Sequence, residues 1–314
     1  MEAELKILFI GGAGRSGSTL LDTLLGQVDG IASVGEVNEI WKAGILENRL
    51  CGCGAPFGAC KFWQSVLRDG FGDAAQINIR RIISDQSSAR IRNIPFMRWP
   101  KLQSRRYSEQ LQSHREISRL LLKGIQKTSG ARLIVDSSKT PAQAFMLSAL
   151  ANTELHILQL VRDSRAVAHS WGRRRKVPDA THHERDMTRM SPAQSSADWL
   201  LRHFFLETIR NAKATNVHSY NVVRYEDLIA APVSTLKQIL RPVGVDFDPS
   251  VLFAGESIAR RRRETHTIEG NPTKFERGDI RLKLDAEWER MMPFLNKALV
   301  SALTLPYLRK FKYL

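Results

Sequence analysis

Residues 5–25 constrain this chain more tightly than any other stretch. LKILFI at 5–10 is a short continuous apolar run ending on Gly11-Gly12, which reads as a buried parallel strand entering a turn. A helix is expected next, because Ser18-Thr19 can cap it and Leu20, Leu21, Leu24 and Leu25 recur at helical spacing before Gly26. Gly12-Ala-Gly-Arg-Ser-Gly17-Ser18-Thr19 therefore occupies a strand–loop–helix junction, where converging backbone N–H groups and the helix dipole favour an anion. The spacing is that of G-x-x-x-x-G-K-[ST], with Ser18 in the lysine position. Nucleotide hydrolases and kinases use that lysine to reach the β/γ-phosphates, so its replacement argues for a related anion site with different chemistry. Arg15, inside the loop, supplies positive charge from a new position. The bland alternative is a plain tight turn under a helix.

The remaining pattern extends the same architecture. IASVGE at 31–36 reads as a second strand with Glu36 at its C-terminal end. ARLIVD at 131–136 reads as a third strand before a helix opening at Pro141, and LHILQLVR at 155–162 as a fourth before a helix at 164–174. A long helix over 192–214 precedes a strand at 217–228, VHSYNVVRYEDL, and a helix over 232–240. Such alternation implies an α/β fold: a central parallel sheet flanked by helices in three layers. Residues 40–128, with scattered aromatics and an amphipathic stretch at 108–123, read as a mostly helical cap inserted in it. No repeat or low-complexity linker interrupts the 314 residues, which read as one domain, 1–314.

Charge narrows the ligand. Lys and Arg outnumber Asp and Glu by 47 to 32, a formal +15, so an anionic partner is expected. Nucleic acid, an anionic membrane surface and a polyanionic small molecule all fit that field, and solvated faces account for most of the clusters at 173–176 and 260–263. The N-terminus lacks the basic start of a signal peptide and no membrane span is apparent, so a cytoplasmic protein without membrane insertion is expected. The three cysteines, Cys51, Cys53 and Cys60, fall in one segment, CGCGAPFGAC. His182, His183 or His266 could supply a fourth metal ligand, but the spacing matches no standard zinc pattern, and reduced thiols without a metal are the expectation.

A second anion signal lies at the end of the LHILQLVR run, where Arg162 leads into a helix bearing Ser170. Ligands bind at the carboxyl edge of open α/β sheets, and an arginine there can grip a phosphate by charge-assisted hydrogen bonds. Unaided, an arginine after a strand is more often a solvated cap.

Taken together, GRSGSTLL at 14–21, VRDSRAVAHS at 161–170 and VVRYEDL at 222–228 resemble the family of sulfotransferases that use 3′-phosphoadenosine 5′-phosphosulfate (PAPS). The likeness is to bacterial members, with the arginine form of the loop also found in tyrosylprotein sulfotransferases. It extends to CGCGAPFGACKFW, VDSSKTP and HTIEGNPTKF, and so runs from about residue 5 to about residue 290. The resemblance implies a P-loop-like fold and PAPS as cosubstrate, released as PAP, with no metal required. It assigns Gly14, Arg15, Ser16, Gly17, Ser18 and Thr19 to the 5′-phosphosulfate, and Arg162 and Ser170 to the 3′-phosphate. Tyr225 becomes an adenine neighbour, and Lys274 part of a loop closing over the nucleotide, although the family's RKG-type motif is lacking. Arg15 and Lys139 become the cations that stabilise the transferring group, and Glu36 the base, with Glu39 its rival. Cytosolic animal members use a histidine just after the Lys-Thr pair; here Pro141 follows Lys139-Thr140, which removes that base. The expected acceptor is a hydroxyl or an amine, such as that of a small metabolite or saccharide, with a lipid and a peptide tyrosine also left open. A kinase-like enzyme is the first rival reading. A basic nucleic-acid-binding protein is the second, weakened by the lack of a zinc finger or RNA-binding aromatic motif.

Overall fold

The computed structural model describes residues 5–72, 77–174, 176, 186–210, 212 and 216–314. Five strands, β1 (Leu5–Gly12), β2 (Ile31–Ser33), β3 (Leu133–Lys139), β4 (Thr153–Val161) and β5 (Val217–Arg224), form one parallel sheet in the order β2-β3-β1-β4-β5. Helix α1 (Ser18–Leu25) follows β1. Between β2 and β3 lie α2 (Lys61–Phe71), α3 (Ile79–Gln86), α4 (Ile94–Arg98) and the long α5 (Arg105–Ser129), which are the expected helical insertion. Helix α6 (Pro141–Leu147) joins β3 to β4, and α7 (Ser164–Gly172) and α8 (Pro192–Arg210) join β4 to β5. Then come α9 (Tyr225–Ala230), α10 (Pro232–Leu240), α11 (Pro249–Leu252), a small antiparallel pair β6 (Ile258–Ala259) and β7 (Ile280–Arg281), and finally α12 (Glu287–Met291) and α13 (Phe294–Lys310).

The apolar runs bury both sheet faces, as period-two strands in a three-layer fold must. Leu5, Ile7 and Phe9 of β1 pack with Leu121, Ile125, Ala144 and Leu206 from α5, α6 and α8. Leu8 and Ile10 face the other way, onto Leu21, Leu24 and Leu25 of α1 and Leu236 and Ile239 of α10. Burying each such side chain stabilises the fold by roughly 1.5–3 kcal/mol, so helices on both sides are held by the same central strands.

The order of strands creates the place for a ligand. From β1 the chain leaves toward β2 at one edge, while from the adjacent β4 it leaves toward β5 at the other. The carboxyl ends of β1 and β4 therefore flank a crevice that no connection crosses, the usual ligand position in open α/β sheets.

Several expectations shift locally. β2 ends at Ser33, so Glu36 lies in the turn beyond it. YEDL at 225–228 is not strand but the start of α9, because the apolar alternation of β5 stops at Arg224. The cap of α1 is Gly17, with Ser18 and Thr19 already helical. Among the described residues no helix is long and apolar enough to cross a membrane.

Candidate functional site

The loop after β1 turns through two left-handed residues, Arg15 at φ 68° and Gly17 at φ 87°. At Gly17 any side chain would also meet the Tyr225 ring, with a Cβ only 2.4 Å from it, so glycine is required twice over. Arg15 is not glycine, and a left-handed arginine costs on the order of 1–2 kcal/mol, a strain of the kind that clusters at functional sites. Its guanidinium lies 4.9 Å over the Trp171 ring and reaches the Met187 sulfur at 3.0 Å. Ser16 turns inward, donating its hydroxyl to the Ala13 carbonyl at 2.8 Å, and so only its backbone is available to a ligand. Gly14, Arg15, Gly17, Ser18 and Thr19 line a cleft of about 650 Å³.

Arg162 and Ser170 line the same cleft. Arg162 is 6 % exposed and sits at the end of β4, where its guanidinium donates to the Arg15 carbonyl at 3.1 Å and pairs with Asp285 at 3.2 Å. It also stacks 4.8 Å over Tyr225, the ring that touches Gly17. The two sequence motifs, far apart in the chain, are thus joined at the crevice between β1 and β4. Ser170 lies on α7, buried beside them.

The other wall carries Glu36 and Lys139, which form an ion pair with side chains each 14 % exposed. Lys139, the last residue of β3, pairs in register with Gly11 of β1 and adopts φ 66°, a second strained cation at the rim. Beneath it Asp136 accepts the Ser138 N–H at 2.9 Å and the Val37 N–H at 3.4 Å, while Ser138 Oγ accepts the Asn38 N–H at 3.1 Å. Burial pushes the Asp136 carboxyl up to about 6. From behind, the Glu36 N–H donates to the Ile268 carbonyl at 3.1 Å, and Gly35, at φ 79°, leaves no room for a Cβ against that carbonyl. The turn holding Glu36 is therefore clamped from two sides. Glu39 lines the cleft too, and burial, with Glu36 adding its charge, raises its carboxyl above the ordinary range.

As a whole the cleft has nine cationic against five acidic side chains among the described residues, and among them no histidine. Such a field suits a polyanion. Arg49, Arg281 and Lys283 belong to this lining and were not singled out from the sequence, and Arg261, from the 260–263 cluster read mainly as a solvated face, lines it too. Arg281 and Lys283 alternate with buried Ile280 and Leu282, a period-two signal that only the paired β7 makes meaningful. Lys274 departs from expectation: it is 1 % exposed, donates to the Leu50 carbonyl at 3.3 Å and does not line the cleft, which Thr273 and Glu276 line instead. The histidines His182 and His183 lie outside the described residues.

Residues 8–249 match the model of the Sulfotransferase family. Among solved structures, the sulfotransferase domain of the Synechococcus PCC 7002 olefin synthase superposes with a TM-score of 0.53 at 20 % identity, covering 96 % of this chain and 95 % of that one. The sulfotransferase domain from the curacin biosynthetic pathway superposes with a TM-score of 0.51 at 16 % identity, covering 98 % of each. No curated protein matches the sequence.

Proposed function

Because the chain belongs to the sulfotransferase family, and so is an enzyme of sulfuryl transfer, we propose that it takes the group from PAPS and delivers it to a hydroxyl or amine of a small, polar acceptor such as a metabolite or saccharide. The observation that carries this reading is the junction of the glycine loop and Arg162 at one crevice. Two separate anion cradles at one cleft suit a nucleotide phosphorylated at both its 3′ and 5′ positions better than a nucleoside triphosphate, whose phosphates form one chain. The Ser18 substitution points the same way.

In this reading the loop from Gly14 to Thr19 holds the 5′-phosphosulfate on its N–H groups and the α1 dipole. Arg162 and Ser170 hold the 3′-phosphate, with Arg281 and Lys283 of the same lining adding charge, and Tyr225 flanks the adenosine. The acceptor oxygen attacks sulfur in line as the bond from sulfur to the bridging phosphate oxygen breaks. Glu36 takes the acceptor's proton, and Arg15 and Lys139 stabilise the charge that builds on the equatorial oxygens and the departing phosphate. The Glu36–Lys139 pair keeps both groups pre-positioned before substrate arrives. The polar lining around Glu36, with Asn38, Glu39 and Lys42, supports a hydroxylated acceptor over a lipid. The test is product mass spectrometry with PAPS and a panel of hydroxylated and amino acceptors: transfer of one sulfuryl group with release of PAP is expected. Stabilisation by ATP–Mg²⁺ with indifference to PAP would overturn the donor assignment.

A further inference from the structure

The cysteines lie outside the cleft and outside the chemistry above, yet the fold gathers all three around one histidine. Cys51 and Cys53 occupy a tight turn closed by the Cys51 N–H on the Ala55 carbonyl and the Gly54 N–H on the Cys51 carbonyl, both 2.8 Å. Cys60 stands at the mouth of α2. His266 arrives from the far end of the chain, stacked on Phe62 at 4.4 Å between ring centroids and fixed by Trp63, whose indole N–H donates to its carbonyl at 3.0 Å. Of the three histidines that the sequence left open, this is the one the fold selects.

The four side-chain donor atoms lie within 4.8 Å of one another. Cys51 Sγ and Cys60 Sγ are 3.6 and 3.4 Å from His266 Nδ1, and Cys53 Sγ is 3.7 Å from Cys60 Sγ. With Zn–S near 2.3 Å and Zn–N near 2.0–2.1 Å, a tetrahedral zinc needs S···N edges of about 3.5 Å and S···S edges of about 3.8 Å. These three of the six spacings match those edges, and all six are within 4.8 Å. They do not match a disulfide, whose sulfurs must approach to about 2.05 Å.

We infer that Cys51, Cys53, Cys60 and His266 form a closed structural zinc site that pins the segment following Arg263 to the loop after the Glu36 turn. Three thiolates and an imidazole complete a tetrahedron with no open position, so the ion is structural and takes no part in sulfuryl transfer. What it holds is specific. The segment through His266 runs on to Ile268, whose carbonyl receives the Glu36 N–H, and to Gly270, Asn271 and Thr273 in the cleft wall.

The test is elemental analysis of the full chain purified without chelator, expecting about one zinc per chain, released when an organomercurial modifies the thiols. Cys53→Ser, at the most exposed of the three sulfurs, should speed chelator extraction of zinc at least tenfold, while His266→Cys retains the metal. Should Cys53→Ser not fold, cobalt exchanged into the wild-type chain gives an independent reading: intense visible bands of tetrahedral thiolate coordination are expected, and their absence overturns the site. Three freely reactive thiols after reconstitution in excess zinc, a Cys53–Cys60 disulfide in the native chain, or iron with inorganic sulfide in place of zinc would each overturn it as well. None of these readouts depends on the donor or acceptor proposed above.

Discussion

Glu36 and Lys139 show how much of the site is decided by single side chains. The carboxylate and the ammonium are close enough to exchange partners when an acceptor hydroxyl and a phosphosulfate enter, and the absence of histidine from the described lining leaves Glu36 the proposed base. Glu36→Gln keeps the shape and the hydrogen bonding; it should leave PAP affinity within a few-fold and lower kcat by about 10²–10⁴-fold. Full turnover in the variant would remove Glu36 from the mechanism. Asp136, which positions the Glu36 turn, is legible through pH instead. Its folded-state value is raised from the ordinary 3.8 to about 6 by burial, so its contribution to stability is complete below the unfolded value and is lost as pH rises through about 6. Asp136→Asn does not titrate. The stability gap between wild type and variant should therefore move in favour of wild type by about 2–3 kcal/mol from pH 8 to pH 4, at about 1.4 kcal/mol per pKa unit. A pH-independent gap from paired thermal melts would contradict the burial argument.

At the scale of elements, the glycine loop and the end of β4 act as a pair. Gly17→Ala forces a left-handed alanine into the Tyr225 ring; a stability loss of roughly 1–3 kcal/mol in urea titration, with PAP affinity down at least tenfold, is expected. Arg162→Ala removes charge-assisted hydrogen bonds, each worth about 1.5–3 kcal/mol, and should raise the calorimetric Kd for PAP by about 10–150-fold, with Arg162→Lys between. Unchanged binding would dismiss the second cradle. The elements themselves were mostly readable, because short β-rich apolar runs punctuated by glycine, and helices opened by proline, announce themselves locally: α10 falls on the residues expected, Pro232–Leu240, and α6 opens at Pro141. YEDL was not, since Tyr225 continues the β-favouring run of Tyr220, Val222 and Val223, and nothing local marks the strand's exit into a helix.

At the scale of the molecule, what the sequence hid is what long-range packing creates. Arg49 and Arg281 reach the cleft from a loop and from β7, whose faces are defined only by their partners. Lys274 carries a charge that local pattern assigns to solvent or ligand, yet the fold turns it to the Leu50 carbonyl. The choice of His266 over two other histidines likewise depends on a meeting of distant segments. The two segments proposed as anion cradles could be picked out because each is a strand end followed by a helix start, a local signature whose convergence at one cleft follows from parallel strand order. That convergence is the central claim, and a crystal structure of the chain with PAP tests it most directly. One nucleotide is expected to span the cleft, its 5′-phosphate on the N–H groups between Gly14 and Thr19 and its 3′-phosphate on Arg162 and Ser170. A nucleotide bound elsewhere, or one leaving either cradle without a phosphate, would contradict the account.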